Sequence, residues 1–238
     1  QSVMFNDILL RYTNGDPQPI WDATDMTSSF SDTPEFTEAA NTYRELVDMG
    51  MFQSSWTSDD AATAKNLFQQ GMAAMYYTGT WENSLVTEEN TPEELKENLR
   101  IIPFPSVEGT DSSKCLMGRE GITMMVAENS EHRKEATEFI KTFFDPEYYP
   151  KACIEEGLGI PMQNFEAYVK DTDPVLIKQV AESIATSTAY ASHPFSFRLT
   201  AVFEQESKDL NMQFLLGQID VEQLWKATDE SVAVNQIE

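Results

Sequence analysis

Residues 58–81, SDDAATAKNLFQQGMAAMYYTGTW, contain the pattern on which the fold assignment depends. Apolar residues recur at helical spacing in the first half, which predicts a helix over 58–70 that stops at a glycine. Met72–Tyr77 is then a short apolar run between two glycines. Its length and boundaries favour a buried strand over another helix. Gly79 and Trp81 follow directly, so a tryptophan is predicted at the end of a strand.

The rest of the chain is predicted to be mostly helical, with few strands. Asp32 is a suitable N-cap for a helix that has Pro34 in its first turn, whereas 22–33 has the Asp, Ser and Thr content of a loop. In the predicted helix at 131–144, the apolar spacing turns Phe139 and Phe143 inward. The sequence predicts an α/β fold in which helices outnumber strands. The predicted helices are 6–12, 32–50, 58–70, 91–98, 131–144, a short helix that starts at Pro146, 174–186, 197–216 and 221–230. The predicted strands are 72–77, 99–102 and 122–127.

The composition narrows the choice of partners. The chain has 238 residues, 40 Asp and Glu against 16 Lys and Arg, and a formal charge of −24. A surface this acidic repels phosphate backbones and anionic lipid headgroups, so we expect neither nucleic acid nor a membrane surface as partner. Apolar residues make up 41% of the chain and aromatic residues 11%, which is enough for a sizeable core.

No residue pattern in the sequence points to an enzyme. There is no phosphate loop, no complete dinucleotide fingerprint and no nucleophile elbow. Cys115 and Cys153 either form one disulfide or remain separate, and they are too few for a four-cysteine metal site. His132 is expected on the surface, and adjacent acids such as Glu88-Glu89 are expected to be solvated. We predict no catalytic residue, no cofactor and no metal.

Several short motifs nevertheless occur together in a specific order. Phe68-x-x-Gly-x-Ala-Ala-Met75 precedes Gly79-x-Trp81, and Ile101-Ile-Pro-Phe-Pro105 follows at the next predicted strand. Ser130–Ile140 has the pattern of a Lys-Glu-Ala helix that ends in Phe-Ile. Over about residues 33–230 this combination resembles the extracellular solute-binding proteins of ABC importers, carbohydrate-type family 1, to which maltose-binding protein belongs.

The resemblance implies a fold and a domain organisation. It implies a periplasmic-binding-protein-like fold of type II, in which two α/β lobes enclose a cleft and the chain crosses between them at a hinge. This chain is similar to the C-terminal part of such proteins. Residues 1–118 and 171–238 would form the C-terminal lobe, and residues 119–170 would return to an N-terminal lobe that is mostly missing from this sequence.

The resemblance also implies a function. Such a protein is a monomer that binds a sugar or oligosaccharide in the interlobe cleft and delivers it to the permease subunits of an ABC transporter. It would act outside the bacterial cytoplasm, in the periplasm or at the cell surface, where a lipid anchor is common. Two alternatives remain at this point: a glycoside hydrolase that uses two of the many acids, and an acidic module that binds a basic protein.

Trp81 is the strongest candidate for contact with such a ligand. A sugar site needs flat aromatic faces for the pyranose ring and polar groups for its hydroxyls. Trp81 follows a glycine at the predicted strand end; the alternative is a buried core tryptophan, and Tyr77 is expected in the core. The resemblance adds five further residues, of which Arg119 and Glu120 have a surface ion pair as their alternative role and Phe195 has core packing. His193, before Pro194 in a predicted loop, is a sixth candidate because loops often carry function. These six are Phe5, Gly118, Arg119, Glu120, His193 and Phe195.

Overall fold

The computed structural model describes residues 2–118, 124–157, 164–192 and 199–237, and this part of the chain is mostly helical. The α/β prediction, with helices outnumbering strands, is confirmed. The helices are α1 (Ser2–Tyr12), α2 (Gln18–Thr24), α3 (Pro34–Asp48), α4 (Ala61–Gln69), α5 (Glu93–Asn98), α6 (Arg133–Phe143), α7 (Tyr149–Glu155), α8 (Val175–Thr186), α9 (Ala201–Leu215) and α10 (Val221–Val234). The strands are β1 (Cys115–Gly118) and β2 (Ala189–Ser192), and 3-10 helices cover Thr80–Val86, Ser112–Lys114 and Phe165–Tyr168.

The chain divides into two compact units. Unit 1 consists of residues 1–58, 103–119 and 187–238, and unit 2 consists of residues 59–102 and 120–186. Unit 1 therefore contains α1 to α3, both strands, α9 and α10, whereas unit 2 contains α4 to α8. The lobe boundaries implied by the family resemblance remain a prediction, and the two units divide the chain at other positions.

Aromatic rings form the core of unit 1. Trp225 of α10 is 2% exposed, and its ring centroid lies 5.5 Å from that of Phe30 and 5.7 Å from that of Phe5. Phe5 also stacks on Tyr43 of α3 at 5.5 Å. Paired rings of this kind add specific contacts to the free energy of apolar burial. This core joins α1, α3 and α10.

The strand β1 is tied to the end of α1. Arg11 forms a buried ion pair with Asp7, with 3.0 Å between Nη2 and Oδ1, and its Nη1 donates to the Cys115 carbonyl at 3.1 Å. Gly15 has a φ of +81°, and a Cβ atom there would lie 2.7 Å from the Cys115 Cβ. Only glycine fits that conformation and that spacing. β1 then pairs in parallel with β2, with Cys115 opposite Ala189.

Unit 2 has two smaller apolar clusters in place of one large core. The first joins α7, α8 and the 3-10 helix at 165–168, and the second joins the 3-10 helix at 80–86 to α8. Ile101 packs against both clusters. The buried members are Ile154, Phe165, Ile177, Val180 and Ala181 in the first cluster, and Leu85, Leu99 and Leu176 in the second.

The three predicted strands are wrong wherever the structure describes them. Met72–Tyr77, 99–102 and 124–127 form no strand, while residues 122 and 123 lie outside the described part. Met72 and Met75 are both 70% exposed, so the apolar run is not buried. A strand requires a neighbour that accepts its ladder hydrogen bonds. Local sequence does not encode that neighbour.

The predicted helices are mostly confirmed, with corrections at their ends. α8 matches its prediction within one residue, and α3 begins at Pro34 but with Thr33, not Asp32, as N-cap. Part of the predicted loop at 22–33 belongs to α2. α6 forms as predicted, but it has no buried residue, and Phe139 and Phe143 are 61% and 43% exposed. The expectation that these two rings turn inward is therefore wrong in this structure.

Candidate functional site

Trp81 lies on the surface of unit 2. It is the second residue of the 3-10 helix Thr80–Val86, which we call the Trp81 turn. Asn83 and Leu85 of this turn are 5% and 3% exposed, whereas the Trp81 side chain is 62% exposed. The buried members attach the turn to the unit and leave the indole in solvent. The alternative prediction, a tryptophan buried in the core, is wrong.

Gly79 provides the surface on which the indole rests. A Cβ atom at Gly79 would collide with Cε3, Cζ3 and Cη2 of Trp81, so the six-membered ring lies directly over the glycine backbone. The φ of Gly79 is −118°, a value that any residue adopts. The glycine is therefore needed for space and not for its backbone freedom. One part of the indole is fixed against the main chain while most of its surface remains accessible.

A charged network, which we call the Lys65 network, anchors the Trp81 turn to α4. The Nζ atom of Lys65 lies 2.9 Å from Oε2 of Glu82 and 2.6 Å from Oε1 of Glu88. Ser84 donates to Glu88 Oε1 at 2.9 Å, and Gln69 donates to Glu88 Oε2 at 3.3 Å. One ammonium thus binds a residue inside the turn and a residue just beyond it. The Lys65 network consists of these five side chains.

These contacts shift the pKa values of the network. The hydrogen bond from Lys65 lowers the pKa of Glu88, against the opposing effect of burial. Burial lowers the pKa of Lys65, but the hydrogen bonds to Glu88 and Glu82 outweigh it, and the net change in this pKa is upward. Both shifts favour the charged forms. Lys65 and Glu88 are therefore an ion pair at neutral pH.

Sequence reasoning missed this network. It treated Glu88 as a solvated acid, but the Glu88 side chain is 26% exposed and bound on three sides. One signal was available: Lys65 is the only basic residue between Arg44 and Lys96, in a stretch rich in acids. A lone cation among many carboxylates is expected to attract more than one of them.

Two tyrosines precede the Trp81 turn. The ring of Tyr76 lies 5.7 Å from that of Phe68 on α4, and its hydroxyl donates to Glu82 Oε1 at 3.4 Å. Burial, followed by the charge of Glu82, raises the pKa of the Tyr76 hydroxyl. Tyr77 is 36% exposed, so the prediction that it belongs to the core is wrong. Tyr76 connects the extended segment before the turn to the Lys65 network.

The structure locates two more of the predicted site residues, both in unit 1. Gly118 is the last residue of β1 and is half-buried. Phe5 is 5% exposed between Tyr43 and Trp225, which are the contacts of a core residue. The other four predicted site residues lie outside the described residues; they are Arg119, Glu120, His193 and Phe195.

The cysteines and histidines show no metal chemistry in the part of the chain that is described. Cys115 and Cys153 are both free and buried, and burial raises the pKa of each thiol. His132 is exposed, as predicted. Among the described residues, no three His, Cys, Asp or Glu side chains are grouped to hold a metal ion. None of the described helices has the length and apolar content needed to span a membrane.

Curated proteins similar to this chain are described as binding proteins. One is from Brucella abortus (strain 2308) and another from Brucella suis biovar 1 (strain 1330). Each is 30% identical to this chain over 155 residues, which is 63% of this chain and 35% of the relative. The chain thus spans about a third of the length of the curated relatives it matches.

Two solved structures share the fold. One comes from a study of xylan utilization by the thermophilic bacterium Caldanaerobius polysaccharolyticus, with a TM-score of 0.79, 23% identity, and coverage of 96% of this chain and 57% of that one. The other is a chitin oligosaccharide binding protein, with a TM-score of 0.79, 19% identity, and coverage of 98% and 57%. The predicted periplasmic-binding-protein-like fold, present in part, is confirmed.

The family predicted from the motifs is confirmed by a match to a protein-family model. The model described as bacterial extracellular solute-binding protein matches residues 5–150. This family consists of binding proteins, in agreement with the prediction that the chain is not an enzyme. Because the match spans more than half of the sequence, the chain belongs to the bacterial extracellular solute-binding proteins.

Proposed function

We propose that this chain is part of a carbohydrate receptor that captures a sugar or oligosaccharide and delivers it to the permease of an ABC importer. The observation that carries the proposal is the exposed indole of Trp81, held over Gly79 in a member of a solute-binding family. We place its action outside the bacterial cytoplasm, in the periplasm or at a cell surface with a lipid anchor. We expect the receptor to act as a monomer.

The chemistry of Trp81 suits a sugar. A pyranose ring has an apolar face of C–H groups, and an indole fixed in one orientation offers a flat surface for it at little cost in side-chain entropy. The hydroxyls need hydrogen-bonding partners. For these we propose Arg119, Glu120 and His193, and we propose Phe195 as a second ring. Phe5 is left out, because its ring is 5% exposed and enclosed by other aromatic residues.

The structural neighbours suggest which sugars to test first. One neighbour is named for chitin oligosaccharides, and the other comes from work on xylan utilization. Xylo-oligosaccharides and chitin oligosaccharides of two to five units are therefore the first probes, followed by maltose and monosaccharides. Calorimetric titration of the whole protein is expected to show saturable binding, and chromatography is expected to show the sugar unchanged.

The Trp81→Ala variant tests the site. We expect it to weaken binding of the best probe by about tenfold, since an aromatic contact contributes roughly 0.5–1.5 kcal/mol beyond the burial of its area. Its melting temperature should stay near that of the wild type, because the side chain is largely in solvent. Trp56→Phe is the matched control, since Trp56 is a half-buried tryptophan of unit 1. Unchanged affinity in Trp81→Ala would refute the site, and no binding of any sugar would refute the carbohydrate assignment.

A further inference from the structure

We infer that Lys65 is a positioning residue for Trp81, because its ammonium bonds Glu82 of the Trp81 turn and Glu88 just beyond it to α4 and thereby sets the orientation of the indole. The affinity part of this inference rests on the proposed function. The positioning part does not, since it concerns the geometry of the turn in the absence of ligand.

The Trp81 turn is only weakly stabilised by its own backbone hydrogen bonds. It is a 3-10 helix of seven residues, and 3-10 hydrogen bonds are less well aligned than those of an α-helix. Such runs are seldom longer than four residues unless other contacts support them. Leu85 and Asn83 support the turn from the apolar side. The Lys65 network supports it from the polar side.

Lys65 forms ion pairs with two residues that are close to Trp81 in the chain. Glu82 is the residue after Trp81, and Glu88 is the second residue after the turn ends at Val86. Lys65 bonds to both, at 2.9 Å and 2.6 Å, and its side chain is 22% exposed. Partial burial leaves these ion pairs less screened by solvent than an exposed pair would be. One side chain therefore connects a residue of the Trp81 turn to a residue that follows it, and fixes both to α4.

Removal of the Lys65 cation is expected to displace the indole. Without Lys65, Glu82 and Glu88 are two partly buried carboxylates with no cation between them. Burial of an unpaired charge is costly, so the carboxylates are expected to move toward solvent. Glu82 is adjacent to Trp81 in the chain and would displace it. The indole would then leave its position over Gly79.

The experiment observes Trp81 directly, by fluorine NMR of the protein labelled with 5-fluorotryptophan. The chain has four tryptophans, and Trp81→Phe identifies the Trp81 resonance. In Lys65→Met we expect the Trp81 resonance to shift or broaden while the other three stay in place. Lys65→Arg keeps a cation that donates to both carboxylates and should restore the wild-type spectrum.

Lys96→Met is the matched control. Lys96 also belongs to unit 2, and its side chain is 17% exposed in a 2.7 Å pair with Glu93, a residue of α5 and not of the Trp81 turn. We expect its fluorine spectrum to match the wild type. Xylotriose and chitotriose, titrated in parallel, should bind about tenfold more weakly to Lys65→Met and normally to Lys96→Met.

The outcomes separate this inference from the proposed function. An unchanged Trp81 resonance in folded Lys65→Met would overturn the inference, whatever the sugars do. If no sugar binds the wild type while the resonance still shifts, the positioning role stands and the carbohydrate function fails. If Lys65→Met does not fold, Lys65→Gln, which removes the cation but keeps a polar side chain, replaces it with the same expected shift.

Discussion

The two compact units bury their aromatic side chains to different extents. In unit 1, Tyr43 and Trp225 are 1% and 2% exposed and belong to one continuous core. In unit 2, Phe139 and Trp81 are 61% and 62% exposed, and the apolar interior is divided between two small clusters. Unit 2 therefore leaves in solvent aromatic rings of the kind that unit 1 buries.

A comparison of two helices, α3 and α6, shows why some of these rings are buried and others are exposed. α3 and α6 are both amphipathic, and both have a phenylalanine on the apolar face. α3 packs against α1 and buries Phe36 and Tyr43, whereas α6 has no buried residue. Amphipathic spacing determines which face of a helix is suited to burial. Whether that face is buried depends on a second element, which the helix itself does not encode.

The largest expected change in the free energy of unfolding comes from removal of Trp225, the central ring of unit 1. Trp225→Ala should lower the free energy of unfolding by about 3–5 kcal/mol, since it leaves a large cavity among Phe5, Phe30 and Phe36. Urea unfolding followed by circular dichroism measures this loss. A loss below about 1 kcal/mol would show that unit 1 does not depend on its aromatic core.

A pair of glycines gives the next largest effect. Gly15 and Gly71 both have positive φ, at +81° and +70°, but only Gly15 faces another atom, the Cys115 Cβ at 2.7 Å. Gly71→Ala should cost about 1 kcal/mol for the backbone conformation alone, and Gly15→Ala about 2 kcal/mol or more because a steric clash is added. Melting temperatures of the two variants test the ranking. Equal losses would mean that the α1–β1 contact is not tight.

The Lys65 network gives a smaller effect, which depends on pH. Because Lys65 holds the pKa of Glu88 below its ordinary value of 4.5, the Glu88 contribution is complete above that value and is lost as the pH falls through the folded-state pKa. Glu88→Gln should therefore destabilise by about 0.5 kcal/mol near pH 7 and by less at a pH below the folded-state pKa of Glu88. Glu89→Gln, at an exposed neighbour, is the control and should change nothing at either pH.

The smallest effect is expected at the exposed ring of α6. Phe139→Ser should change the free energy of unfolding by less than about 0.5 kcal/mol, because the side chain makes few buried contacts. Phe165→Ser, at a fully buried ring of the same unit, should cost about 3 kcal/mol or more. A large loss in Phe139→Ser would show that α6 is buried, and the contrast between the two units would then disappear.

Local signals predicted the helices well and the strands poorly. α8 and α3 were located from spacing, a proline and a stop signal, all of which lie within the helix or next to it. Met72–Tyr77 has the length and flanking glycines of a buried strand, yet the structure leaves its methionines exposed. β1 and β2 were missed for the converse reason, since four-residue strands are too short to show a period and are defined by each other.

The candidate site also has one part that local sequence predicted and one part that it missed. Trp81 was predicted as a site residue because it follows a glycine at the end of a predicted strand. That strand does not form in the described residues 72–77, and the structure shows instead that Gly79 makes room for the ring. Lys65 was missed because its partners, Glu82 and Glu88, are distant from it in the sequence. Such pairs form only after the chain has folded, so no period or motif identifies them, and the isolation of Lys65 among acids is the signal that the sequence offers.

The contact between Gly79 and Trp81 also sets how the site can evolve. The room above residue 79 is taken by the ring, so every side chain larger than hydrogen is excluded there. Position 81 is less restricted, because phenylalanine or tyrosine can occupy the same place with a smaller flat surface. In a library randomised at both positions and selected for ligand capture, position 79 should return glycine alone, whereas position 81 should return several aromatic residues that differ in affinity. Under the proposed function, the ligand range would therefore change at residue 81 for as long as residue 79 does not change.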